Sequence, residues 1–161
     1  RFIMLKNTDT QTWVSIKEVA YNTLAEDEPT VTFDGFPYGF GNAAHSDFNL
    51  MLDNDLSTYV WFDWRCQVGA YVLLDMRKIK DVNKITLYQN SSEHPGDLFE
   101  NCSIYVSEDG TNYTRVGEEN YLSQDEIVID LTNHNVKARY VKIVSNIENV
   151  AGICIRELVI E

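Results

Sequence analysis

Basic residues are scarce in this chain: 13 lysines and arginines stand against 25 aspartates and glutamates in 161 residues, a formal charge of −12. A field of that sign repels phosphates and anionic headgroups, so nucleic acid is not an expected partner, and binding to a phospholipid surface is disfavoured. Neutral sugars are untouched by it. Long apolar runs are missing as well. No stretch approaches the roughly 20 residues that span a bilayer, so membrane insertion is not expected, and no signal-peptide pattern opens the sequence. The three cysteines, Cys66, Cys102 and Cys154, are odd in number and widely spaced, without the C-x-x-C of zinc or dithiol redox sites. All three are read as free thiols. Cys102 and Cys154 alternate with apolar neighbours and so read as small core side chains, a bridge between them being the alternative. Three histidines lie far apart, with neither H-E-x-x-H nor G-x-S-x-G, and no glycosidase signature brackets a pair of the abundant carboxylates. The chain is therefore not read as an enzyme, and no catalytic residue is assigned.

What is present is β-strand pattern. Period-2 alternation with β-branched and aromatic enrichment recurs at 71–74, 85–88, 103–106, 127–131, 140–144 and 153–160. No stretch of ten residues carries a 3.6-residue period. Turns such as Glu108-Asp109-Gly110 and Asn133-His134-Asn135 punctuate the runs about every dozen residues, and a chain of this length holds one core. The reading is an all-β sandwich. A weak internal repeat adds a boundary: residues 1–19 resemble the closing segment from Arg139, with arginine-to-glutamate separations of 17 (Arg1 to Glu18) and 18 (Arg139 to Glu157). Residues 1–19 are either the tail of a preceding unit of the same kind or an extra N-terminal hairpin, and 20–161 form the domain proper. Because Arg1 falls inside what reads as a strand, the chain is read as a piece of something larger.

Four landmarks occur in order. They are LDNDLSTYVW at 52–61, GAYVLLDM at 69–76, YVSEDGTNYTRV at 105–116, and RYVKIV at 139–144 followed by IRELVI at 155–160. Together they resemble the discoidin-like domain of coagulation-factor C type, which includes the family 32 carbohydrate-binding modules of secreted bacterial glycosidases. The resemblance implies a discoidin-like, jelly-roll β-sandwich that binds terminal sugars of host glycans, of N-acetylglucosamine or galactose type. It further implies a monomer, secreted or on the cell surface, covalently linked to a catalytic domain. The alternative is a non-catalytic interaction or structural module whose sugar site has degenerated.

The same resemblance implies a structural calcium ion. Calcium takes six to eight oxygens from carboxylates, hydroxyls and carbonyls. By position the ligands would be the side chains of Asp53, Thr58 and Glu157 with the carbonyls of Leu50, Asp55, Thr58 and Arg156. An ordinary Asx turn at 53–55 without an ion is the other reading of that loop. Sugar recognition needs an aromatic surface and a few fixed polar groups, expected from the loops 42–48, 63–68, 89–97 and 145–152. Trp64 and Arg65, at a strand exit, are the leading candidates, with His45, Asn90, His94 and Asn149 as further contacts. Trp61 is read as the family's core tryptophan. Phe62 stands where galactose-binding relatives often carry a histidine, which leaves the sugar open.

Overall fold

The structure is a computed structural model that describes residues 28–161 apart from Asn42 and Trp64. The reading of residues 1–19 lies outside the described residues, as does that of Trp64. The strands are β1 (Thr30–Asp34), β2 (Val60–Phe62), β3 (Tyr71–Val82), β4 (Lys84–Gln89), β5 (Asn101–Ser107), β6 (Thr114–Leu122), β7 (Glu126–Asp130), β8 (Val136–Ser145) and β9 (Ile153–Ile160). They form two antiparallel sheets, ordered β1-β3-β8-β5-β6 and β2-β9-β4-β7. Each strand run read from the sequence falls within one of these strands or extends it by a residue, and the all-β sandwich stands. No helix among the described residues is long and apolar enough to cross a membrane.

Alternation explains the layering. Val72, Leu74 and Met76 of β3, Val141 and Ile143 of β8, and Ile104 and Val106 of β5 face inward from the larger sheet, opposite Ile85 and Leu87 of β4 and Ile127 and Ile129 of β7. The strand β2 adds Val60 and Phe62. Phe62 is 1% exposed, and its ring centroid lies 5.2 Å from Phe33, 4.2 Å from Phe36, 5.0 Å from Phe40 and 6.2 Å from Phe48. This cluster closes the sandwich beside β1 and fixes which way β2 faces.

All three cysteines are free and buried, so the bridge alternative falls away. Burial pushes the Cys102 thiol up to about 12 and the Cys154 thiol up to about 11. Cys102 sits in the core as expected; Cys154 pairs with Trp61 across β2 and β9 and so points to the outer side.

The long pairing of β3 with β8 is interrupted between Asp75 and Lys80. Asp75 holds the break together. Its carboxylate accepts from the Arg77 N–H at 2.7 Å and from both Arg139 Nε and Nη2 at 2.8 Å. The Arg139 guanidinium, with the Arg77 N–H, holds the Asp75 carboxyl below its ordinary value. A folded-state pKa that is depressed contributes stability above the unfolded value, roughly 3.9, and loses it as pH falls. Asp75→Asn should therefore cost about 1–3 kcal/mol at neutral pH, and urea denaturation of wild type and variant should converge in acid.

Candidate functional site

The orientation of β2 sends Tyr59 and Trp61 to the outer face of the smaller sheet. Trp61 is half-buried there, so its reading as a core tryptophan is corrected: Phe62 takes the core position and the alternation turns the indole out. Its ring meets the loop after β4. The His94 imidazole stacks on it at 3.7 Å, and its Nε1 donates to Asp97 Oδ2 at 2.8 Å. Around this pair lies a depression of about 260 Å³ lined by Trp61, Asp63, Asp97, Val150, Ala151 and Gly152. Apart from Trp61 of β2, these residues come from three of the four expected loops. Val150, 61% exposed, forms an apolar rim.

The sequence-derived contacts fare differently. Arg65, at φ 49°, is exposed and reaches Glu148 at 3.8 Å. His94 backs the indole instead of lining the depression. His45 stacks at 4.1 Å on Tyr59, whose ring also meets His94 edge-on at 5.6 Å, so a ladder of rings runs His45, Tyr59, His94, Trp61. The Tyr59 hydroxyl donates to Glu93 at 2.7 Å, and burial with this carboxylate pushes it up to about 12.

Two of the expected sugar contacts are corrected to scaffold. Asn149 is fully buried, accepting from the Glu100 N–H at 2.8 Å and donating to the Leu98 carbonyl at 2.9 Å, which spends its amide on shaping two loops. Asn90, at φ 64°, accepts from the N–H groups of Ser91 and Gly96 and donates to Asp125, so it folds the loop 90–97 around its own side chain. Asp63 and Asp97 were missed. Both lie at the ends of loops the sequence singled out, where a single aspartate among 25 acidic residues carries no signal of its own.

Of the residues expected to hold a metal, Leu50, Asp53, Asp55 and Thr58 meet in one loop. Thr58 Oγ1 lies 3.0 Å from the Leu50 carbonyl, 2.9 Å from Asp53 Oδ2 and 2.9 Å from the Asp55 carbonyl. Asp53 Oδ1 accepts from the Asp55 N–H at 2.9 Å, so the loop is also an Asx turn. Across from it, the pairing of β4 with β9 slips between Tyr88 and Gln89, which makes Arg156 the extra residue of a bulge and turns Glu157 out of the core. Glu157 is nonetheless 3% exposed, and its Oε2 has no hydrogen-bond partner among the described residues. Burial raises its pKa and nearby Asp53 raises it further, while the N–H groups of Asn54 and Asp55 pull it down. No group of three or more His, Cys, Asp and Glu side chains suited to a metal occurs among the described residues. A cation here would draw on two carboxylates, a hydroxyl and carbonyls, a donor set that fits calcium better than zinc.

The chain belongs to the F5/8 type C domain family, whose pattern matches residues 41–158. Its fold is that of solved family 32 carbohydrate-binding modules. One, from a family 31 glycoside hydrolase of Clostridium perfringens, is 20% identical with a TM-score of 0.64, covering 84% of this chain and 94% of that one. The family 32 module of C. perfringens NanJ, solved with galactose, is 15% identical with a TM-score of 0.63, over 84% and 94%. A chitosan-binding module of a Paenibacillus chitosanase/glucanase, solved with chitotriose, is 14% identical with a TM-score of 0.62, over 84% and 95%. No curated protein matches the sequence.

The floor of the depression depends on close backbone approach. A Cβ on Gly152 would lie 2.8 Å from Asp97 Oδ2, Trp61 Nε1 and the Phe62 carbonyl; one on Gly41 would lie within 2.8 Å of the Trp61 ring. Gly152→Ala should displace the indole, shift tryptophan fluorescence and near-UV circular dichroism, and cost about 1–3 kcal/mol.

Proposed function

We propose that this domain is a calcium-stabilised, non-catalytic carbohydrate-binding module. It holds the terminal sugar of a host glycan in the depression at Trp61, Asp97 and Gly152. Through that contact it directs a covalently linked glycoside hydrolase, secreted or on the cell surface, to its substrate. The observation that carries the reading is the convergence of loops 63–68, 89–97 and 145–152 on a concave surface with an indole wall and two carboxylates. An aromatic wall meets the C–H face of a pyranose, and fixed oxygens meet its hydroxyls. Solved neighbours with galactose and with chitotriose support the ligand class.

A shallow depression of this size takes one ring, so single-site affinity is weak and repetition on the parent protein raises avidity. Glycan-array and calorimetric binding should detect a terminal sugar, and Asp97→Ala should weaken it about tenfold or more. Trp64→Ala tests the tryptophan three residues beyond Trp61. Folded protein that binds nothing on a broad array would transfer the reading to an interaction or structural module. That second reading draws on Asn90, Asn149 and His45 being engaged within the fold.

Calcium is proposed to bind Asp53, Thr58 and Glu157 with the carbonyls of Leu50, Asp55, Thr58 and Arg156. The orphaned Glu157 Oε2 and the three oxygens gathered on Thr58 Oγ1 support it. The ion joins the loop before β2 to the last strand. Without calcium, the raised Glu157 pKa makes ionisation unfavourable in the folded state, so stability should fall as pH rises above the ordinary 4.5. Calcium favours the carboxylate and should reverse that trend. At a hundredfold excess over Kd it should add about 2.7 kcal/mol, roughly 5–10 °C in Tm. Glu157→Gln should abolish the calcium increment and stabilise the calcium-free protein at neutral pH.

A further inference from the structure

Both arms of the proposed cation site end on the wall of the depression. On the first arm, Thr58 stands one residue before Tyr59 and three before Trp61. The Tyr59 ring is 5% exposed: the His45 imidazole stacks on it at 4.1 Å, the His94 ring meets it edge-on at 5.6 Å, and its hydroxyl donates to Glu93 at 2.7 Å. His94 in turn stacks on Trp61 at 3.7 Å. On the second arm, Glu157 follows the bulge residue Arg156, whose Nε donates to the Gln89 carbonyl at 3.1 Å, at the root of the 90–97 loop. Three residues before Glu157, Cys154 accepts from the Asn90 N–H at 3.0 Å, donates to the Asp97 carbonyl at 3.0 Å and pairs with Trp61. Each half of the cation site is thus tied to the unit of Trp61, His94 and Asp97.

We infer that calcium occupancy at Asp53, Thr58 and Glu157 sets the geometry of the indole wall, with Tyr59 and His94 as positioning residues, so that cation and glycan binding are coupled. The inference rests on the calcium and carbohydrate-binding readings and adds the regulation of that site. Its driving force is a change of charge balance between loop and strand. With no cation, Glu157 is a buried carboxylate whose Oε2 has no partner among the described residues, and Asp53 acts on it as a like charge. Repulsion then pushes the 53–58 loop away from β9. With calcium between them, Asp53, Thr58 and Glu157 are drawn together. Tyr59 is bonded to Thr58 and moves with it, and closely packed rings pass on such a shift because a dense contact does not deform continuously. The coupling is a free energy that both ligands share, so sugar tightens calcium binding by the factor with which calcium tightens sugar binding.

Calcium titration of the EDTA-treated whole chain, followed by tryptophan fluorescence and near-UV circular dichroism, tests the relay. The expected result is a saturable change of the indole signal that tracks calcium binding measured by calorimetry and is absent from Trp61→Phe. In His94→Ala the change should fall by about half or more while calcium affinity stays within about twofold, and His94→Phe, which restores a flat ring on the indole, should recover it. Galactose and chitotriose should each bind about tenfold tighter with calcium than with EDTA, a ratio that His94→Ala brings to about twofold or less. Glu157→Gln, checked by far-UV circular dichroism, supplies a folded calcium-free reference. Calcium binding with no change at Trp61, or sugar affinities equal with and without calcium, would overturn the inference and leave both underlying readings intact. Absence of calcium binding would overturn the calcium reading and the inference together. Absence of sugar binding beside an intact Trp61 response would overturn the carbohydrate-binding reading and the coupling, and would support the relay to Trp61.

Discussion

Burial of Phe62 is the constraint on which the outer face depends. Packed among Phe33, Phe36, Phe40 and Phe48, this ring fixes the rotation of β2, and period 2 does the rest. Val60 follows Phe62 into the core, so Tyr59 and Trp61 must leave it. The pairing of Trp61 with Cys154 then sets the indole on the outer face beside β9, within reach of the loop that carries His94 and Asp97. A one-residue slip of β2 would send a phenylalanine outward and the indole inward, and would dissolve both the core cluster and the depression.

The bulge at Arg156 is a second use of the same logic. Before it, Ile153 and Ile155 face the core; after it, Leu158 and Ile160 pair opposite Leu87 and Ile85. The extra residue restores inward packing in the second half of β9 while releasing Glu157 toward the 53–58 loop. A carboxylate buried to that degree with one oxygen unpaired is costly on its own. The bulge is therefore placed where the strand bears an electrostatic penalty, which is the cost the proposed calcium ion would offset. The loop and the strand are far apart in sequence, so whatever satisfies Glu157 also closes the fold.

Strand positions were legible because alternation is a local property: 71–74, 85–88, 103–106 and 140–144 each carry their own evidence. The turn at 53–58, whose proposed calcium came from the family resemblance and not from spacing, was legible for a similar reason, since Asp53, Asp55 and Thr58 fold on one another. The direction of Trp61 was not. It depends on which of two adjacent aromatics finds the larger apolar cluster, and the phenylalanines that decide it lie at 33–48, outside any local window. Asn90 and Asn149 misled for a related reason. A loop asparagine looks available in sequence, yet its partners here are backbone groups of Gly96, Leu98 and Glu100, which only the folded chain brings near. The β6 strand went unread because its pattern is mostly exposed, with Val116 and Tyr121 its buried members.

Two of the loops that shape the depression are held by side-chain hydrogen bonds, and this governs what the site can achieve. Asn149 ties the 145–152 loop to Leu98 and Glu100, Asn90 folds the 90–97 loop on itself, and Trp61 fixes Asp97. A site so held loses little conformational entropy when a ligand arrives. On the proposed carbohydrate-binding role, loops held open in this way keep the contact area small and the affinity per site low. Selectivity must then come from the few polar groups already aimed, not from enclosure. On the same proposal, Asn90 and Asn149, which looked like ligand contacts in the sequence, would serve recognition indirectly, by holding the loops in shape.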